Sequence, residues 1–387
     1  MDFTNNKIYL DNAATSFPKP ETVYKTMDSF YRQYGANPGR SGHKMGMIAS
    51  QAVEDVRYLL YNFFHAEEPE RVIFTFNATD ALNMALRGFL REGDEVITTV
   101  MDHNSLNRPL NYLAKEKAIK IKRLLPDRGE ISVDKIKKSL TKKTRLIALT
   151  HASNVTGWIQ PVEDIGQYIR NNTDAFFLVD AAQTAGILPI DLKKAAVDFF
   201  IFTGHKSLYG PMGTGGLILS ARVDIEPYRS GGSGIESEDE FQPEEFPFKL
   251  EAGTENLPGI VGLGEGVKFV QSVGIDNILR KEKGLKAILI EDFKNIEKIR
   301  LYNGSNLEKE VGIVSFNIEG LSPSETASIL DSEFGIAVRA GLHCAPLMHK
   351  FIGTFPEGTV RISPGYFNTE EEITEIISAI KSISESI

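Results

Sequence analysis

The sequence predicts an α/β fold: a mainly parallel sheet sandwiched by helices, followed by a smaller α+β unit. Three observations predict it. Short, continuous apolar runs alternate with helix-like segments through the first two thirds of the chain. Parallel strands read as continuous runs because helices cover both faces, and regular strand–helix alternation marks such a layer. The rhythm then breaks between about 222 and 258, where "RSGGSGIESEDEFQPEEFPF" is rich in Gly, Ser, Pro and acid and reads as a long loop. Beyond it, helical and strand patterns follow in a different order.

Taken in order, the expected strands are "RVIFTF" (71–76), "DEVITTV" (94–100), "IKIKRLL" (119–125), "TRLIALTHAS" (144–153), "AFFLVDAAQ" (175–183), "VDFFIFTG" (197–204) and "GGLILSA" (215–221). Helical periodicity lies between them in "DALNMALRGFL" (80–90), around "LNYLAKEKA" and in "PVEDIGQYIRNN". After the loop come helix-like "GEGVKFVQSV" and "LRKEKGLKAILIEDFKNI", strand-like "GIVSFNI" and a last helix in "EEEITEIISAIKSI". The expected division is a large unit over 15–258 and a small one over 1–14 and 259–387.

Composition narrows the function classes. With 43 basic and 52 acidic residues the 387-residue chain carries a formal charge of -9, which argues against nucleic acid or an anionic membrane as partner. No apolar run approaches the length of a membrane helix. "MDFTNNKIYLDNAAT" lacks a basic region followed by an apolar one, so no secretory signal is expected there. One cysteine, Cys344, excludes an internal disulfide and a multi-thiolate metal site. No metal is expected, and the cytoplasm is the expected compartment.

The richest segment is "FIFTGHKSLYGPMGTGG" (200–216). Ligands of open α/β sheets bind beyond the carboxyl ends of the strands. Lys206 follows such an end, where a lysine of lowered pKa could form a Schiff base; taken alone, it reads far more readily as a surface lysine. In "FFLVDAAQTAG" (176–186) an apolar strand ends in Asp180. That acid could cap a helix, or pair with the pyridinium nitrogen of pyridoxal phosphate. An acid and a lysine ending nearby strands suit one pyridine ring held at both ends. "TFNATDALN" (75–83) supplies a strand-to-helix turn in which Asn77, Ala78 and Thr79 could cup a phosphate or simply cap the helix. Thr203 and His205 could add donors. His103 in "TTVMDHNS" (98–105) could stack on a flat ring and shuttle protons, and Asn154 in "THASNVTG" (150–157) could reach a phenolic oxygen.

Together these segments resemble the class V aminotransferase family of pyridoxal phosphate enzymes, and within it the cysteine desulfurases. The resemblance runs nearly end to end: "IYLDNAAT" (8–15), "NATDALN", "THASNVTG", "LVDAAQTAG", "TGHKSLYGPMGTGGL", "EAGTENLPGIVGLGEG" (251–266) and "GIAVRAGLHCAPLMH" (335–349). It implies fold type I of the pyridoxal phosphate transferases, with a seven-stranded sheet and a homodimer sharing its active sites. By the same resemblance Lys206 is the Schiff-base lysine, Asp180 holds the ring nitrogen, Gln183 and Asn154 contact the phenolic oxygen, and His103 stacks on the ring. Ala78, Thr79, Thr203 and His205 hold the phosphate, with Thr254 reaching that of the other subunit. Arg361 clamps the substrate carboxylate; Arg339, Asn154, Ala14, Arg40 and His43 assist. The implied activity converts L-cysteine to L-alanine and leaves the sulfur on Cys344 as a persulfide for an acceptor protein, as in iron–sulfur cluster assembly. His343 and Arg339 are expected to favour the thiolate.

The short "RAGLHCA" motif resembles the Suf-type branch, with departures: Ala78 before Thr79, Asn104 after the stacking histidine, and one residue fewer between Ala345 and Pro346. Alternatives with the same residues are a selenocysteine lyase and another class V reaction, an aminotransferase or epimerase, in which Cys344 is a bystander. A non-catalytic scaffold fits the intact residue set least.

Overall fold

The computed structural model describes residues 8–39, 42–236 and 238–387. Seven strands form the central sheet, in the spatial order Val72–Thr75, Gly215–Leu219, Phe199–Thr203, Phe176–Asp180, Thr144–Thr150, Glu95–Thr99 and Lys120–Leu124. Gly215–Leu219 runs antiparallel to both neighbours; every other pairing is parallel. Each of the expected apolar runs supplies one of these strands.

The strand Phe199–Thr203 shows why the runs are continuous. Phe200 and Phe202 face one side, where their rings meet Phe64 at 4.8 and 5.7 Å. Phe199 and Ile201 face the other, where Phe199 meets Phe89 at 4.9 Å. Both faces are roofed, so the two-residue alternation of a half-exposed strand is absent. The edge strand Lys120–Leu124 keeps that alternation, because one of its faces meets solvent. Helices Ala78–Phe89 and Asn104–Glu116 cover one face of the sheet, and Lys44–Phe63, Val162–Asn172 and Leu257–Val273 the other.

A second, antiparallel sheet has the order Arg339–Gly341, Thr359–Ile362, Val314–Ile318 and Ile299–Leu301. Helices Ile275–Phe293 and Glu370–Glu385 close a separate core beneath it around Leu289, Phe293, Phe316 and Ile376. The N-terminal strand Ile8–Tyr9 pairs in parallel with Ile336–Ala337, and so joins the chain start to this unit. From 220 to 256 there is no regular helix or strand among the described residues. Two helices that the sequence patterns left unread, Glu21–Tyr34 and Lys44–Phe63, lie against Leu257–Val273.

Candidate active site

Six co-directed strands end on one side of the sheet, and the chemically able residues follow five of those ends. Asn77–Thr79 follow Val72–Thr75, and His103 follows Glu95–Thr99. Asn154 follows Thr144–Thr150, Asp180 ends Phe176–Asp180, and His205 and Lys206 follow Phe199–Thr203. They line a cleft of about 210 Å³ together with Ala14, Gln183, Thr203, Arg339, Cys344 and Arg361. The small unit thus contributes the two arginines and the cysteine. Register explains the arginine pair: Arg339 and Arg361 are directly opposed on neighbouring strands.

Burial and nearby cations hold the Lys206 amine at about 8. Desolvation lowers it most, Arg361 and Arg339 lower it further, and Asp180 opposes them. Asp180 is itself buried, and burial raises its carboxyl above the ordinary range, offset by the Ala182 N–H, which donates to Oδ1 at 3.0 Å, and by Lys206. The His103 ring is pushed down to about 4 by burial and by Lys206, Arg339 and Arg361. Its Nδ1 accepts from the Ser105 N–H at 3.1 Å, so the proton of the neutral ring sits on Nε2. His205 is likewise lowered to about 4 by burial, and its Nδ1 is buried without a partner.

The amides are tied in place. Asn154 Nδ2 donates to the His343 carbonyl at 2.7 Å and Gln183 Nε2 to the Ala13 carbonyl at 3.1 Å, each leaving a second N–H. At the helix start Asn77 accepts from the Asp80 N–H at 3.0 Å, as an N-cap does, and Thr79 Oγ1 pairs with Ser105 Oγ at 2.6 Å. The Thr203 hydroxyl donates to the Thr214 carbonyl at 3.5 Å.

Cys344 is exposed and left-handed at φ 57°, directly after His343 at φ 46°. Two adjacent non-glycine residues in that region need outside support. Asn154 holds the His343 carbonyl, and the Asn104 N–H donates to the Cys344 carbonyl at 2.7 Å. Arg339 Nη2 lies 3.8 Å from the sulfur. The His343 ring does not support the thiolate as expected from sequence. It is buried, its Nε2 meets Thr359 at 3.0 Å, and burial holds it neutral, well below the usual histidine range. The positive charge beside the thiol is that of Arg339.

Two expected residues lie elsewhere. Thr254 lines a neighbouring recess with Phe76 and Arg229. His43 caps helix Lys44–Phe63, its Nδ1 accepting from the Gly46 N–H at 3.1 Å. Arg40 lies outside the described residues. Sequence reasoning missed four others. Ser105 joins Thr79 to His103. Buried Asp102 accepts from Thr98, Thr99 and Thr150, tying two strand ends beside His103. Lys19 donates to the His205 carbonyl at 2.6 Å, and burial lowers its amine to about 7. Asp11 pairs with Arg361 at 2.7 Å. Only Ser105 carried a local signal, a hydroxyl two residues after a histidine at a strand end.

A lysine and an acid at adjacent strand ends, a capped helix start and an arginine-bearing small unit define an enzyme-type cleft of the class V aminotransferase kind. The chain belongs to that family: the aminotransferase class-V family model matches residues 8–376. It is 36% identical to a probable cysteine desulfurase of Pyrococcus abyssi, covering 100% of this chain and 96% of the relative. It is 35% identical to a probable cysteine desulfurase of Borreliella burgdorferi, over 97% and 91%. Among solved structures, the apo cysteine desulfurase of Thermococcus onnurineus superposes with a TM-score of 0.92 at 35% identity, over 98% of this chain and 95% of that one. The cysteine desulfurase CsdA of Escherichia coli superposes at 0.88 with 26% identity, over the same shares.

Proposed function

We propose that the protein is a pyridoxal phosphate-dependent cysteine desulfurase, with sulfur passing to Cys344. The observation that carries this is that Cys344, the chain's one cysteine, lines the same cleft as Lys206, Asp180 and Arg361. The residues present fit the cofactor. Asp180 suits a ring nitrogen, the Lys206 amine at about 8 suits a Schiff base, and His205 Nδ1 is a buried group awaiting a partner. Ala78, Thr79, Thr203 and His205 would hold the phosphate, Gln183 and Asn154 the phenolic oxygen, and His103 the ring face. Bound there, the cofactor supplies an electron sink that loosens the substrate's Cα–H and Cβ–S bonds.

The side chains then have distinct tasks. Arg361 binds the carboxylate of L-cysteine. Lys206, free once substrate is bound, takes the Cα proton and returns one. The Cys344 thiolate attacks the substrate sulfur; an S–S bond forms as the Cβ–S bond breaks, Cβ takes up a proton equivalent to the one the thiol gave up, and L-alanine leaves. The sum is L-cysteine plus thiol giving L-alanine plus persulfide. Arg339 steadies the thiolate.

The same reading includes a homodimer in which Thr254 reaches the partner copy's site, an acceptor protein for the persulfide, and a cytoplasmic setting, where a lone thiol stays reduced. Among the described residues no helix is long and apolar enough to cross a membrane. The division into units over 15–258 and over 1–14 with 259–387 belongs to this reading too. Separate cores under the two sheets support two units, but Leu257–Val273 packs beneath the larger sheet, so this helix goes with the large unit and moves the boundary past 258 to its C-terminal end.

The test supplies L-cysteine and dithiothreitol to wild type and Cys344→Ser. Wild type should release alanine and sulfide in equal amounts, and Cys344→Ser should lose alanine release at least a hundredfold. A Cys344→Ser enzyme at full rate would leave Cys344 a bystander.

A further inference from the structure

We infer that Asp11 is a positioning residue of the carboxylate clamp. It fixes the Arg361 guanidinium so that the Nε edge is left for the substrate's carboxylate. The inference rests on the desulfurase reading above and deepens it.

Arg361 is buried at 1% exposure, and two of its three nitrogens are engaged. Nη1 donates to the Asn154 carbonyl at 3.0 Å and Nη2 to Asp11 Oδ1 at 2.7 Å. Nε is buried with no partner. A buried guanidinium with an orphaned nitrogen is costly unless a ligand completes it. The fork presents Nε and Nη2 side by side, which matches the two oxygens of a carboxylate. Arg361 lines the cleft that holds Lys206, so a carboxylate on that edge belongs to a molecule bound there.

Asp11 can act as a fixed anchor because its backbone is held on several sides. The Tyr9 hydroxyl donates to the Asp11 carbonyl at 3.1 Å, and the Ala14 N–H donates to the same oxygen at 3.0 Å. Asp11 bridges Ser363, two residues beyond Arg361, and the Ser363 N–H donates to the Leu10 carbonyl at 2.7 Å. The anchor and the arginine therefore ride on adjoining segments of one unit. Without Asp11, the guanidinium would keep only its bond to Asn154 and could rotate about it.

The test compares L-alanine with L-alaninamide, which differ only in carboxylate against neutral amide. Calorimetry on the holoenzyme gives both affinities for wild type, Asp11→Ala and Asp11→Asn. Asp11→Ala should lower the preference for L-alanine at least tenfold while L-alaninamide binds within threefold of wild type. With L-cysteine it should raise KM tenfold and change kcat less than threefold. Asp11→Asn, whose Oδ1 still accepts from Nη2, should keep the preference within threefold. Asp11→Ser, too short to reach Nη2, replaces Asp11→Ala if that variant does not fold. An unchanged preference in the folded truncated variant overturns the inference, as does equal loss of both ligands or a tenfold loss in Asp11→Asn. Failure of both truncations to fold overturns it as well, since the pair is then structural. No sulfur release is needed for these affinities, so a wild type inactive on L-cysteine refutes the desulfurase reading separately.

Discussion

At the scale of single residues, the cleft is organised by what surrounds each charge. Lys206 differs from a surface lysine only in its setting: it lies beyond a strand end, near two arginines and opposite Asp180. In cofactor-free protein, Lys206 should therefore acylate with a midpoint near pH 8, against about 10.4 for exposed lysines. Asp180 is the larger of two anions that raise its pKa, so Asp180→Asn should move the midpoint lower. Peptide mapping after acetic anhydride treatment across pH reads both; a Lys206 midpoint among those of the exposed lysines would remove the argument. The same logic separates His343 from Arg339 beside Cys344. Both are basic residues in one short motif, but burial neutralises one and leaves the other charged at 3.8 Å from the sulfur.

At the scale of elements, the pairing of Arg339–Gly341 with Thr359–Ile362 sets the arginines side by side. Gly358 sits at the start of that pairing with φ +89°, and a Cβ there would lie 2.1 Å from the Gly341 carbonyl oxygen. Both the left-handed backbone and the close approach demand glycine. Gly358→Ala should cost roughly 2–3 kcal/mol in urea unfolding and raise KM for L-cysteine by shifting Arg361. A variant as stable as wild type would show that the strand ends can part without cost. The turn at His343–Cys344 belongs to the same scale: bonds from Asn154 and Asn104 hold it, so the thiol is presented by an anchored turn.

At the scale of the whole molecule, two sheets with separate cores meet along a smaller apolar cluster around Tyr209, Val270, Ile278 and Ile313. Glu282, on the helix Ile275–Phe293, is buried near this seam, and burial raises its carboxyl to about 8. Its unfolded value is 4.5, so the folded state holds the proton more tightly. Its contribution to stability is therefore complete below 4.5 and lost as pH rises through about 8. Glu282→Gln keeps the shape of the protonated acid and removes this dependence. Relative to wild type, it should gain roughly 2–5 kcal/mol between pH 5 and pH 9, at about 1.4 kcal/mol per pKa unit. Urea midpoints at the two pH values measure it, and a constant difference would place Glu282 in contact with water.

Legibility follows from the range of the interaction that carries each feature. The seven strands of the large sheet, the long loop after 222 and the helix start at Asn77–Thr79 were readable because burial on both faces, turn composition and capping act within a few neighbours. So was the placement of Lys206, Asp180, His103 and Asn77–Thr79 at strand ends, since a residue's place at a strand end is itself local. The Asp11–Arg361 pair joins residues 350 apart, and no periodicity or motif spacing encodes it. The His343 ring looked like a partner for the thiolate because it is adjacent in sequence, yet adjacent side chains on a turn can point to opposite environments. The sequence alone determined the chemical groups and the strand ends from which they project. Only the tertiary structure decided which of those groups stay charged and which guanidinium edge stays open, because desolvation and long-range pairing exist only once the two units have packed.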